Sequence, residues 1–538
     1  MNSIPSSAAV VVPTEPTICS ICHDDLYSST NQKFVGRCVA IARPCRHKFH
    51  FKCLSSWTKG HVTCPYGREV IQNMVVKNLP LPRDWRHQMV NAAKKGDIKI
   101  IQALLQRGVE VDAGRAAGKT PLAMAVANKH LDAALLLARR GGSDPIGLRN
   151  LGELFQNGGE GIPVDLHKAE QWYIKAAELG DIAAMWHLGY LYQFGGEGFS
   201  IDLHKAQSWY LKAAELGDIA AMYSLGIVYT NGGKGFEIDL HKAQSWYLKA
   251  AELGDTSAMN NLAYQYEHGG KDFAADLCKA EHWYLEAAGL GDACAMNNLA
   301  LLYLGGGEGL PADHQDQGKF LLLKAAGMGD VGAMTNLGCQ YYEGDNGFEK
   351  DLHQAKSWWL KAVELEGVRA MFNLGYLYLY GGEGFEADLH QAKIWLLKVV
   401  ERGKDPAIIA SAMYLLGYLH HYADGGFGVD LREAERWYLK AAMLGDDSAM
   451  NKLGGLYLYG DEGFEIDLDQ AIPWLLRASE RGNASAMNKL GTLFELGSKG
   501  FVANLYEAER WYRMAARLGH AKAMKNLRNL KSSVEVAS

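Results

Sequence analysis

No apolar run in this 538-residue chain approaches the length needed to cross a bilayer, so no spanning helix is expected. The stretch Ala8 to Pro13 is too short for the apolar centre of a signal peptide, and no basic residue precedes it. Cysteine is nearly missing from the back of the chain: six of nine fall before residue 65, and Cys278, Cys294 and Cys339 stand singly in helical patterns. That excludes a disulfide framework and points to a reducing compartment, the cytosol by default with the nucleus as the alternative. A gathered basic face is lacking too. Residues 1 to 145 carry 20 Lys+Arg against 10 Asp+Glu, but scattered, and the remainder carries 35 against 51. The net charge of −6 therefore joins a basic front to an acidic back, and no nucleic-acid partner is expected. A chain this long exceeds one ordinary core, so several domains or a repeat array must share it.

What is present begins with ligands. Cys19-x2-Cys22, Cys45-x-His47, His50-x2-Cys53 and Cys64 are seven zinc-type ligands in interleaved pairs, and the eighth expected position, three after Cys64, is Gly67. Zinc takes four tetrahedral thiolate or imidazole ligands, and two ligands one to four residues apart let a short turn grip the ion from both sides. Over about residues 18 to 70 the pattern resembles a RING finger of the two-histidine kind, the zinc module of many ubiquitin ligases. The resemblance implies that Cys19, Cys22, His50 and Cys53 form one complete site, and that Cys45, His47 and Cys64 form a second site short of one ligand. It implies a partner as well, a ubiquitin-conjugating enzyme charged with ubiquitin, whose contact positions are Ile21, Trp57 and Pro65 here. Arg68 occupies the family position of the cation that links ubiquitin to that enzyme, where a planar guanidinium can bond two carbonyls at once. Catalysis in such a ligase is positioning of a thioester, so Arg68 is the catalytic candidate.

Gly67 leaves three outcomes open for the second site. Cys38, free in the long loop, or His61, close before Cys64, can substitute for the missing ligand, or water can complete it. The site can instead stay weak, loosening the loop that carries Pro65 and Arg68, since structural zinc supplies about 10–16 kcal/mol of apparent folding energy in small domains. Or it never forms, leaving a non-catalytic adaptor. Two bound ions with an imperfect second site are the expectation.

Behind the finger, Pro80 and Pro82 mark a linker. A 33-residue period follows, in which Ala92-Ala93 and Leu104-Leu105 return as Ala125-Val126 and Leu137-Ala138. With Gly118-x-Thr120-Pro121-Leu122 it resembles about two ankyrin repeats over 89 to 145, too few to stand without a neighbour. Ala113-x4-Gly118-Lys119-Thr120 satisfies a loose phosphate-loop expression, but the residues before it read as a helix end rather than a strand, so nucleotide binding is not expected there.

From about 146 to 530 the chain repeats every 37 residues. Trp172, Trp209, Trp246 and Trp283 mark four units, Leu321 substitutes in the fifth, and Trp358, Trp395, Trp437, Trp474 and Trp511 mark five more. Each unit reads as two helices around a Gly-rich loop, with an Asp such as Asp239 as N-cap, Gly254 as the left-handed stop and Asp255 opening the next unit. The pattern resembles Sel-like repeats, relatives of tetratricopeptide repeats. The aromatic stripe reads as core, and His167, His204, His241, His353 and His390 as solvated neighbours of the caps. The fifth unit departs from the others at Asp313 to Gln317, and five extra residues fall around Lys404 to Ile409.

The expected fold is thus mostly α: a disordered lead (1–17), a cross-braced zinc finger (18–70), a linker (71–88), a short ankyrin stack (89–145), a long α-solenoid of about ten helix pairs (146–530) and a tail (531–538). The expected function is a RING-type ubiquitin ligase whose solenoid holds a protein substrate; the competing reading is a scaffold with a degenerate finger.

Overall fold

The computed structural model describes residues 39–43, 48–50, 73–76 and 85–537, apart from 115–118, 160, 272, 307–313, 423–427, 461–463 and 499. It is predominantly helical. Three short strands precede the helices: β1 (Val39–Arg43) lies between β2 (Lys48–His50) and β3 (Asn73–Val76), antiparallel to both. Val39 pairs with His50 and Ile41 with Lys48, so β1 and β2 form a hairpin. By backbone contact the chain divides into two units, 1–258 and 259–538.

In the first unit, helices Trp85–Lys95, Ile98–Gln106, Pro121–Ala127 and Leu131–Arg139 make two pairs. Asp97 caps the second through the Ile100 N–H, and Thr120 caps the third through the Ala123 N–H, with Pro121 preset for the first turn. This fixes the phosphate-loop question. A helix, not a strand, precedes the motif, and Thr120 is committed to a cap and to donating its hydroxyl proton to Asp144. The short stack leans on the solenoid as its two repeats require. Gly147 in the helix Pro145–Asn157 comes so close that a Cβ there would lie 2.9 Å from Leu122 Cγ.

The repeat at 219–255 shows the local chemistry that builds a regular unit. Asp218 accepts from the Ala221 N–H at 2.7 Å and starts the first helix, Ile219–Asn231. The chain reverses through Gly233 and Phe236, which exchange backbone hydrogen bonds of 2.9 Å, and Phe236 turns inward. Asp239 then accepts from the Lys242 N–H and starts the second helix, Leu240–Glu252. Gly254, at φ +92°, ends it, and its N–H and that of Asp255 satisfy the carbonyls of Ala251 and Ala250.

The core sets a correction to the aromatic stripe. The tryptophans are mostly half-buried; the residue behind each one is the deep one. Tyr173, Tyr210 and Tyr247 in the first unit, and Tyr284, Tyr438 and Tyr512 in the second, are essentially without exposed surface. A glycine in the first helix makes room for the ring: a Cβ on Gly226 would lie 2.3 Å from Tyr247, and one on Gly491 would lie 2.6 Å from Tyr512. Most of these phenols are answered at their tips, as where Tyr210 donates to Gln193 at 2.7 Å and Tyr512 to Glu495 at 2.6 Å, while the Tyr438 hydroxyl is buried without a hydrogen-bond partner among the described residues.

The second unit contains both irregular repeats. In the fifth, residues 307–313 lie outside the described set, and the second helix, His314–Gly327, buries Leu322 while Phe320 stays exposed. In the eighth, the extra residues enter the first helix, Pro406–Tyr422, which has 17 residues against 13 in its neighbours. The insertion is absorbed as another helical turn.

Candidate functional site

Of the finger residues, His50 alone falls within the described set, and only its backbone is described: it ends β2 opposite Val39. Cys19, Ile21, Cys22, Cys38, Cys45, His47, Cys53, Trp57, His61, Cys64, Pro65, Gly67 and Arg68 lie outside it. Cys45 and His47 fall in sequence between β1 and β2, and two donors this close in sequence suit a zinc ion. The donor types, thiolate and imidazole, fit that metal.

The solenoid presents two surfaces with side chains in full view. On the second helices, a lysine lies over the tryptophan three residues before it: Lys212 over Trp209 at 3.9 Å, Lys249 over Trp246 at 3.9 Å, and Lys361 over Trp358 at 3.8 Å. Where the lysine is present, the tryptophan face is covered rather than open. The histidines are exposed but engaged. His167, His204 and His353 donate from Nε2 to the carbonyls of Gly198, Gly235 and Gly384 in the following loop, at 3.1–3.2 Å. A carbonyl only accepts, so Nε2 carries the proton, and these rings tie one repeat to the next. That tie was not legible as a cap neighbour.

The first helices are where repeats differ. The residue just before the Leu-Gly or Leu-Ala step reaches back to the preceding repeat. In the second unit Asn298 donates to Asn260 and Asn336 to Asn297, each at 2.9 Å, and Asn373 to the Cys339 sulfur at 3.3 Å. Farther along, lysines replace the asparagines at Lys452 and Lys489. Beside them the tyrosines Tyr376, Tyr380, Tyr418 and Tyr422 form a chain of ring contacts with centroids 4.6–6.0 Å apart. Sequence reading missed this surface; the signal was a change of residue type at one phase of the repeat. Among the described residues no cluster of His, Cys, Asp or Glu is arranged for a metal, and no helix is long and apolar enough to cross a membrane.

A finger pattern, an ankyrin pair and a helix-pair solenoid define a class of multi-repeat protein with a zinc module. The family follows from comparison. The chain matches the Sel1 repeat in ten consecutive copies between residues 145 and 520, and it belongs to the Sel1 repeat family. It also matches the Ring finger domain at 17–68 and Ankyrin repeats (many copies) at 89–138. RING fingers bind zinc, so that match implies a zinc-binding module here. A curated relative, the E3 ubiquitin-protein ligase SIRP1 of Oryza sativa subsp. japonica, is 28% identical over 109 residues, 18% of this chain and 31% of the relative. The chain thus aligns with under a third of that protein. Among solved structures, a protective antigen of uropathogenic Escherichia coli displaying an SLR fold is 28% identical, covering 83% of this chain and 90% of its own, at a TM-score of 0.45. A Sel1 repeat protein from Oxalobacter formigenes is also 28% identical, covering 60% and 90%, at 0.43.

Proposed function

We propose that this chain is a RING-type ubiquitin-protein ligase, with the finger recruiting a charged conjugating enzyme and the solenoid holding a protein substrate. The observation that carries the reading is the Ring finger domain match at 17–68, on a segment holding seven of the eight ligands. Cys19, Cys22, His50 and Cys53 bind one zinc, and Cys45, His47 and Cys64 bind a second whose fourth ligand is Cys38, His61 or water. Ile21, Trp57 and Pro65 contact the conjugating enzyme. Arg68 holds ubiquitin in a closed pose, so that a substrate lysine attacks the thioester and the conjugating-enzyme thiolate leaves. The protein works in the cytosol or nucleus, where its thiolates stay reduced.

Gly67 favours one competing reading, a scaffold whose finger folds without ligase activity. Reconstitution with a panel of conjugating enzymes separates them. The ligase reading expects zinc-dependent ubiquitin chains that Ile21→Ala abolishes, together with two zinc ions per full-length chain. Silence from both the natural protein and Gly67→Cys, across the panel, rejects the ligase and leaves the scaffold.

A further inference from the structure

The solenoid beyond residue 145 is acidic overall, which makes two of its lysines conspicuous. Lys452 and Lys489 occupy the same phase of adjacent repeats, the position that holds Asn298, Asn336 and Asn373 earlier and Asn526 later. Each reaches back to the repeat before it. The Lys452 ammonium donates to the Tyr422 hydroxyl at 3.2 Å and lies over the Tyr422 ring at 4.7 Å. The Lys489 ammonium donates to the Asn451 carbonyl at 2.9 Å. It lies directly above Gly455, where a Cβ would come within 2.5 Å of Nζ. At the phase of Gly455 other repeats carry Tyr190, Tyr264, Leu301, Tyr376 or Tyr418, so a large side chain has been exchanged for the space a cation needs.

Neither lysine forms an ion pair with a carboxylate among the described residues. An ammonium has three protons to donate, and each of these uses one on the protein. Burial, with Lys452 beside it, lowers the Lys489 ammonium to about 8, the response of a cation drawn out of water without a counter-charge. Folding does not supply that counter-charge from the described residues, so a partner is the natural source. The surface alongside is apolar and open: Tyr376, Tyr380 and Tyr422 are 40%, 46% and 47% exposed and connect through Tyr418 in one run of rings. Aromatic rings of this kind suit apolar or proline side chains of an extended peptide.

We infer that Lys452 and Lys489, with the tyrosine run from Tyr376 to Tyr422, bind an extended acidic segment of a protein partner, its Asp or Glu carboxylates on the ammonium groups and its apolar side chains on the rings. The charge complementarity selects this occupant, since a basic or uncharged segment leaves the lysines unanswered. The inference deepens the substrate-holding half of the functional reading and needs nothing from the finger. Binding is measured with no ubiquitin components present, so a silent finger and a failed peptide site are told apart.

The test selects a phage-displayed library of short random peptides on the full-length protein. Phosphate is absent from such a library, so carboxylates alone can answer the lysines. The expected pool is rich in Asp and Glu next to aromatic, apolar or proline residues. A labelled synthetic member should bind in fluorescence anisotropy, and its Glu→Gln version about tenfold more weakly, as the loss of a charged hydrogen bond requires. The double variant Lys452→Asn with Lys489→Asn restores the residue used elsewhere at this phase, so it should keep the circular dichroism and melting temperature of the natural protein and lose the peptide. Lys489→Arg should retain it. No enriched pool, a pool without acidic residues, or equal binding by the asparagine double variant would overturn the inference.

Discussion

The two helices of a repeat are under different constraints. Second helices are close copies of one another, and the stretch Leu-His-Lys-Ala-Gln-Ser-Trp-Tyr-Leu-Lys-Ala-Ala-Glu recurs unchanged at 203–215 and 240–252. The helix at 203–215 shows how such an element satisfies its own needs: Asp202 caps it, Lys212 covers Trp209, and Tyr210 enters the core. First helices keep only their Ala-Met and Leu-Gly or Leu-Ala steps, which touch the core, and vary where they reach the neighbouring repeat. There the side chain is serine at 224, asparagine at 298, 336 and 373, and lysine at 452 and 489. The difference teaches where such a protein can acquire specificity. A position that closes its own repeat cannot change without damage, whereas one exposed along the stack can be altered repeat by repeat.

The harshest way to break that contrast is at a first-helix position that is not free, the glycine beside the core tyrosine. Gly226→Leu drives a branched side chain into Tyr247, and since the nearest ring carbon would already touch Cβ at 2.3 Å, about 3 kcal/mol or more should be lost. Tyr247→Ala should cost a similar ~3–5 kcal/mol by leaving a cavity. Were Gly226 simply a flexible spot in a helix, any side chain there would stabilise. Ala263 stands at the same phase in the next repeat, so that repeat seats its tyrosine around a methyl group, whereas at Gly226 even a Cβ meets the ring. Urea denaturation of both variants measures the loss, and a more stable Gly226→Leu protein would contradict the packing account.

A gentler probe uses the caps. Asp218 starts a first helix and Asp239 a second helix, both from half-buried positions. Asp218→Ala should cost about 1 kcal/mol, as N-cap losses do. For Asp239 the sharper variable is pH. Hydrogen bonds from the Lys242 side chain and then its backbone N–H hold the Asp239 carboxyl below the usual carboxylate range. A carboxyl whose pKa is lowered by folding stabilises above its unfolded value, and that contribution disappears as pH falls through the folded value. Asp239→Asn should therefore melt below the natural protein at neutral pH, with the gap closing on acidification. A gap that persisted unchanged in acid would assign the cap to hydrogen bonding alone.

The features legible in the sequence were those written locally. The 37-residue period, the Asp caps and the Gly stops each depend on a few neighbouring residues, so the roles of Asp239, Gly254 and Asp255 follow from residue type and spacing. The order of burial within the Trp-Tyr pair does not. Successive residues on a helix point about 100° apart, and both residue types are large and aromatic, so only the direction of the neighbouring helix decides which one enters the core. The histidines are exposed beside the caps as read, but their tie to the following loop was hidden for the same reason, since the carbonyl of Gly235 is 31 residues beyond His204. At the finger the ligand pairs are local and readable from spacing, and their residues apart from His50 lie outside the described set. The lysine site depends on one phase compared across repeats, and nothing local marks that phase as the one facing the preceding repeat.

The smallest effect tests whether the second helices are as self-contained as their copies suggest. Lys249 lies over Trp246 at 3.9 Å and Lys212 over Trp209 at the same distance. Lys→Met keeps the covering stem and removes the charge, so each change should cost only about 0.5 kcal/mol, the value of an exposed cation–π contact. The informative quantity is the sum. If each second helix closes on itself, Lys212→Met and Lys249→Met should cost the same and add within the error expected of independent sites. The equivalent pair of changes on first helices, Asn298→Ala with Asn336→Ala, should not add so simply, because Asn297 donates to Asn298 while accepting from Asn336, which joins the two sites in one network. Additive lysines beside coupled asparagines would confirm that the second helices act singly and the first helices act through their neighbours; coupled lysines would erase the distinction.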